Sequence, residues 1–266
     1  MSPPRDLREP NDAPDFSVCT LVTSPAEYRE MVASFRAGGF DDGCEYIFAD
    51  NSAGNGQDAF RGLNALVAAS AGRYVILCHQ DVRLISDGRS ALAERLRELD
   101  RLDPDWALAG NAGFTADRDW RVRITDRFGD DQKSPALPAR VVSLDENFIV
   151  LKRSVNLGPS FDVSGFHMYG VDLCVQAAMR GCSAFVVDFH LRHLGRGAID
   201  ASFYAILESL EEKYRNFFRT RTIQTTCTKM VLTHSRLALL FARAGRWRKK
   251  WRRLRRGREA SRGQGK

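Results

Sequence analysis

The chain contains no apolar run long enough to span a bilayer, no Cys-x-x-Cys pair, no internal repeat and no recognisable fold for binding DNA or RNA. A spanning helix needs roughly 18 consecutive apolar residues, so nothing here is expected to cross a membrane. The six cysteines, Cys19, Cys44, Cys78, Cys174, Cys182 and Cys227, fall mostly in expected strands and helices, which predicts reduced thiols and a cytoplasmic setting. Residues 1–15 carry Pro3, Pro4, Pro10 and Pro14 among charges but lack the apolar core of a signal peptide. They are expected to form a disordered leader.

Acidic residues are nearly missing from one stretch. Residues 236–266 hold 13 Lys or Arg against one acidic residue, so the formal net charge of +7 leaves the other 235 residues at −5. The basic character therefore belongs to the tail, and no specific nucleic-acid partner is expected for the rest. Between Met230 and Leu254, apolar residues such as Leu240, Phe241, Trp247 and Trp251 alternate with basic ones, and the two tryptophans stand one helical turn apart. Such a helix is expected to lie on an anionic membrane surface, a peripheral attachment at the inner face of the cytoplasmic membrane. A solvated basic tail that frays is the other reading.

With 266 residues and 44% hydrophobic content, the chain can bury one core of about 200 residues. The expected divisions are the leader at 1–15, an α/β domain at 16–200, a packing helix at 201–228 and the basic amphipathic tail at 229–266. Apolar runs predict strands at Phe16–Val22 and Glu45–Ala49 around a helix at Pro25–Ala37 with proline in its first turn. Leu92, Leu96 and Leu99 among charges predict a covering helix at 88–102. Further strands are expected at Trp106–Ala109, Val141–Leu144, Phe148–Leu151 and Ala184–Val187, with helices ending at Arg180 and spanning Ser202–Phe218. Residues 110–139, rich in Asp, Arg, Gly and Pro without a sustained period, read as a long excursion over one face.

Chemistry concentrates between residues 64 and 81, where Asn64 and Ser70 precede Gly72, and the apolar run Tyr74–Cys78 ends in His79, Gln80 and Asp81. A carboxylate beside a histidine at the carboxyl end of a buried strand can hold a divalent cation and, through it, a phosphate. The spacing of Asn64, Ser70, Gly72, Tyr74 and Asp81 resembles the nucleotide-sugar site of family 2 glycosyltransferases of GT-A fold. His79 stands where that family has the first Asp of Asp-x-Asp, Leu66 replaces a glycine, and Leu63 replaces an arginine that Arg61 could supply from another position. Asp81 matches the family's direct metal ligand.

The resemblance implies a Rossmann-like, mixed and mostly parallel sheet flanked by helices, and an inverting, Mn²⁺- or Mg²⁺-dependent glycosyltransferase. Its donor would be a nucleoside diphosphate sugar, and its acceptor a hydroxyl of a glycan or lipid-linked glycan. The donor-binding set is then Thr23, Asp50, Asn51, Ser52, Arg61, Asn64, His79, Gln80 and Asp81. Asp50-Asn51-Ser52 would seat the nucleoside, or would form only an Asx-turn. His193, just before Gly195, resembles the family histidine that joins Asp81 at the metal. It fits that role better than His190.

A sugar hydroxyl needs a base, and the family's base position falls on Gly170. Asp172, Asp145 and Glu146 are the available carboxylates. For Asp172 the alternative is a carboxylate serving the N-terminus of its own helix. Two other functions stay open. A nucleotidyltransferase usually has a Gly-rich basic loop after its first strand, and Thr23-Ser24-Pro25-Ala26 is not one. A catalytically degenerate glycan-binding subunit would explain Gly170.

Overall fold

A computed structural model describes residues 14–54, 56–195 and 201–215, together with parts of 217–244. The chain divides into two compact units, residues 1–207 and 208–266.

The first unit opens with strand β1 (Phe16–Val22), helix α1 (Pro25–Ala37) and strand β2 (Cys44–Asp50). Ser24 caps α1 by accepting a hydrogen bond from the Glu27 N–H, and Pro25 follows where no intrahelical N–H is needed. Helix α2 (Ala59–Ala69), capped by the Asp58 carboxylate, leads into β3 (Tyr74–Cys78). Gly72 allows this return: its N–H donates to Ser17 Oγ at 2.7 Å, and a Cβ there would lie 2.6 Å from Ser17 N. Then follow β4 (Val82–Leu84), α3 (Arg89–Leu102), β5 (Trp106–Gly110), β6 (Ala112–Phe114), β7 (Trp120–Asp126) and β8 (Gly129–Lys133). The unit continues through β9 (Ala139–Val141), β10 (Ser143–Leu144), β11 (Phe148–Lys152), α4 (Tyr169–Met179), β12 (Ser183–Val186) and β13 (Leu191–His193).

Seven strands form the main sheet in the order β2-β1-β3-β11-β5-β12-β9. It is mixed: β1 pairs in parallel with β2 and β3, and β5 with β12, while β11 enters antiparallel between β3 and β5. The central strands are buried on both faces, which is why they read as unbroken apolar runs in the sequence. One face packs on α1 and α3 through Met31, Phe35, Leu92, Leu96 and Leu99.

A second sheet, β10-β6-β7-β13-β4 with β8 beside β7, is built largely from the region expected to be an irregular excursion. Residues 110–139 hold three strands instead, β6, β7 and β8, and reach the first residue of β9. β8 is Gly-Asp-Asp-Gln-Lys, with no apolar face to reveal it, and it exists because its backbone pairs with β7. The stretch expected as one strand at Val141–Leu144 is two, with exposed Val142 between β9 in the first sheet and β10 in the second.

Helix α5 (Ala201–Arg215) starts in the first unit and ends in the second. The second unit also contains the antiparallel pair β14 (Arg221–Gln224) and β15 (Lys229–Leu232). Among the described residues no helix is long and apolar enough to cross a membrane, and Cys19, Cys44, Cys78, Cys174 and Cys182 are free thiols. The expected leader, except for its last two residues, and most of the basic tail lie outside the described residues.

Candidate active site

Strand β3 ends at Cys78, and the three residues after it form one wall of a cavity of about 220 Å³. The other walls include Thr23 after β1, Asn51 after β2, Leu63 on α2, and Phe166 and Tyr169 at the start of α4. The cavity thus sits beyond the carboxyl ends of parallel strands, where open α/β sheets bind ligands. A larger groove of about 400 Å³ between α1 and β2 contains no carboxylate or histidine cluster, only the aromatic, aliphatic and arginine side chains of residues such as Tyr28, Arg29, Arg36 and Phe48.

Register brings the chemistry together. β13 pairs antiparallel with β4, setting His193 opposite Val82, and Leu194 N–H donates to Asp81 O at 3.1 Å. One side-chain donor atom from each of His79, Asp81 and His193 lies within 4.8 Å of the others. Asp81 Oδ1 is buried, has no hydrogen-bond partner among the described residues and stands 3.5 Å from His193 Nε2. Gly195 closes over the same atoms: a Cβ there would lie 2.6 Å from Asp81 Oδ2 and 2.7 Å from His193 Nε2. A buried carboxylate oxygen without a donor, between two imidazoles and under a glycine, fits a divalent cation. The sequence pointed to Asp81 and His193 as the ligands. His79, read as a donor-side residue and, beside Asp81, as able to hold a cation, stands with them in the cluster.

Electrostatics agree with a ligand set. Burial, then the neighbouring His193, pushes His79 below its usual pKa, so it is a neutral imidazole. Its Nε2 meets Tyr169 Oη at 2.9 Å, and Tyr169 Oη donates to Glu146 O at 2.9 Å. The single hydroxyl proton being spent on that carbonyl, Nε2 carries the imidazole proton and Nδ1 is left as the free donor atom. Burial alone would raise the Asp81 carboxyl, but His193 holds it below the usual range. Asp81 in turn raises His193 against the effect of burial.

The remaining expected residues separate into two groups. Thr23, Asn51 and Gln80 line the cavity. Gln80 ties the first loop to the end of β3: its Oε1 accepts from Thr23 N and Ser24 N at 2.9 Å each, and its Nε2 donates to Thr23 Oγ1 at 2.8 Å. Asn51 braces the 52–57 loop by bonding Gln57 N and O. Asp50 is exposed, accepts from Ser52 N at 2.8 Å, and is held below the usual carboxylate range by Ser52, the geometry of an Asx-turn.

Ser52, Arg61, Asn64 and Asp172, like Asp50, are not among the residues lining the cavity. Ser52 lies in that turn. Arg61 points outward on α2, its side chain 73% exposed, and pairs with Asp58. Asn64 donates to Pro159 O and packs against Gly158. Asp172 is fully buried and accepts from Ser160 N at 2.8 Å, Ser160 Oγ at 2.6 Å and Gln176 Nε2 at 2.9 Å, which makes it an anchor for the 156–160 loop. His190 is likewise structural, bonded through Nε2 to Thr125 Oγ1 at 2.9 Å. Sequence reasoning did not single out Tyr169 or Phe166; their position beside Gly170 at a helix start was the available signal.

Asp145 and Glu146 occupy the turn before β11. His79 N–H donates to Asn147 O at 3.0 Å, so this turn stands beside the end of β3. Asp145 is exposed, and its Oδ1 accepts from Asn147 N at 3.0 Å.

The fold is of the GT-A glycosyltransferase type. The solved structure of GalNAc-T7 with UDP, GalNAc and Mn²⁺ aligns with 80% of this chain and 52% of its own length, with a TM-score of 0.50 at 10% identity. A mannosyltransferase from Pyrobaculum calidifontis, PcManGT in complex with GDP-Man and Mn²⁺, aligns with 77% of this chain and 63% of its own length, with a TM-score of 0.48 at 14% identity. The chain spans about half to two thirds of the length of these structures. No family model matches it. The chain is 37% identical over 228 residues to the ATP synthase subunits region ORF 6 protein of Fuscovulum blasticum, covering 82% of this chain and 90% of that protein, and it belongs to the same family.

Proposed function

We propose that the protein is a divalent-cation-dependent, inverting glycosyltransferase of family 2 type. It moves a sugar from a nucleoside diphosphate donor to a hydroxyl of a glycan or lipid-linked glycan, as in assembly of a cell-surface polysaccharide. The observation that carries this is the cluster of His79, Asp81 and His193 beside the cavity at the end of β3. GalNAc-T7, of the same fold, was solved with UDP, GalNAc and Mn²⁺, which supports the donor class and the cation.

A cation held by these three residues would neutralise the charge that develops on the departing diphosphate. Thr23 and Gln80 shape the wall next to it, and Asn51 holds the loop after β2 where the nucleoside would rest. Phe166 and Tyr169 form the cavity wall on the α4 side. Two imidazoles and one carboxylate suit Mn²⁺ better than Mg²⁺, which prefers all-oxygen sites. A panel of nucleotide sugars, incubated with chelator-treated protein and then Mn²⁺ or Mg²⁺, tests the reading. One donor is expected to be hydrolysed or transferred, faster with Mn²⁺. Consumption of no donor, or consumption indifferent to metal, would sink it, and tight glycan binding without turnover would establish the degenerate subunit instead.

Beyond β15, which takes Met230–Leu232 into a strand and not the expected helix, the basic tail is the part that meets the membrane surface, and most of it falls outside the described residues. Full-length protein is expected to sediment with anionic vesicles at low salt, and a chain ending near Thr228 is expected not to, while keeping activity on a soluble acceptor. Full-length protein left in the supernatant would remove the membrane role.

A further inference from the structure

Transfer to a hydroxyl requires a group that takes its proton during attack, and a carboxylate does this best when its pKa lies near the working pH. Of the three candidate carboxylates, Asp172 lies away from the cavity and already accepts three hydrogen bonds. Asp145 accepts both the Asn147 N–H and its side-chain amide, and acts electrostatically on His79 and His193. Glu146 is placed differently.

Helix α4 has no cap of its own, because Met168, at φ 68°, offers no side-chain acceptor. Glu146 provides one from outside the helix, its Oε1 accepting from Gly170 N at 3.3 Å. The backbone at 170 has closed on this carboxylate. A Cβ there would collide with Leu144 O and come within 3.3 Å of Glu146 Cγ. The stem of Glu146 thus occupies the space that a side chain at 170 would need. Tyr169, in the cavity wall, joins Glu146 O to His79 through its hydroxyl.

We infer that Glu146 is the catalytic base, brought to the first turn of α4 in place of a side chain at 170. This rests on the glycosyltransferase reading above. In the step, the acceptor oxygen forms its bond to the anomeric carbon as the bond to the diphosphate oxygen breaks. The electron pair leaves on the diphosphate, and the hydroxyl proton passes to the Glu146 carboxylate. Burial pushes the Glu146 carboxyl up to about 8, against the backbone N–H groups of α4, and Asp145 on the same turn adds to the rise. The other titratable groups around it are Tyr169 on α4, which donates to the Glu146 carbonyl, and His79 beyond that tyrosine. A base of this kind is protonated at neutral pH and gains activity as pH rises through its pKa.

Glu146→Gln tests the assignment, since its amide oxygen still accepts from the α4 N–H groups. Turnover is expected to fall about 100-fold or more. Affinity for a nucleoside diphosphate with Mn²⁺ and the melting temperature are expected to stay unchanged, and Glu146→Asp is expected to recover part of the rate. Wild-type kcat is expected to rise through pH about 8 and that of Glu146→Gln to be flat. One glutamate carboxyl ¹³C resonance, lost in Glu146→Gln, is expected to titrate with the same midpoint. Normal turnover of Glu146→Gln alongside an active wild type overturns the base assignment and leaves the glycosyltransferase reading standing. A wild type that consumes no donor overturns both. If Glu146→Gln does not fold, a wild-type kcat flat from about pH 6 to about 9 is sufficient to overturn the base.

Discussion

Asp81→Ala is expected to abolish cation-dependent donor binding while leaving the protein folded. Asp81 supplies the one carboxylate of the three-residue cluster, and its Oδ1 has no hydrogen-bond partner among the described residues. Removing it deletes the negative charge that draws a cation between the two imidazoles, yet breaks few bonds that hold the chain together. Even partners that only orient a metal ligand are worth about 10–100-fold in affinity, so loss of the ligand itself is expected to weaken nucleoside diphosphate binding in Mn²⁺ by about 100-fold or more. Calorimetry with UDP and GDP, with and without Mn²⁺, would measure it, and a melt would check the fold. Undiminished Mn²⁺-dependent binding would remove Asp81 from the site.

The second large effect is on stability. Asp172→Ala is expected to cost about 3 kcal/mol, because it strands the buried Ser160 N–H and hydroxyl and removes one of the three acceptors of the Gln176 amide. For a domain of this size, that lowers the melting temperature on the order of 5–10 °C. Asp172→Asn is expected to do somewhat less harm, keeping the volume but turning a donor toward Ser160 N–H. Below its transition, Asp172→Asn is expected to turn over at near the wild-type rate per folded molecule. A folded Asp172→Asn with an unchanged melting temperature and turnover reduced about 100-fold would return the base role to this residue.

These two carboxylates show where the sequence is informative. The run from Tyr74 to Cys78 is legible because a central strand must be apolar on both faces, and a carboxylate just past it falls at the sheet edge where ligands bind. Asp81 was therefore readable from its neighbours in the chain. Asp172 was not. Its place at a helix start is compatible with either a base or a carboxylate serving its own helix, and the bonds from Ser160 show a use that neither reading contained.

By itself the sequence determined the buried strands and the amphipathic helices, whose bounds follow from side-chain periodicity wherever a face is buried, as with β1 and α1. It also determined that a carboxylate and an imidazole would stand at the end of β3. It could not reveal β8, whose residues bury no face and whose strand exists through backbone pairing with β7. Only the tertiary structure decided that His79 and His193 meet across Asp81, because the β4–β13 register joins segments distant in the chain. It alone decided that Gly170 is a position closed by Glu146 and Leu144, since close approach between elements leaves no periodic trace in a sequence.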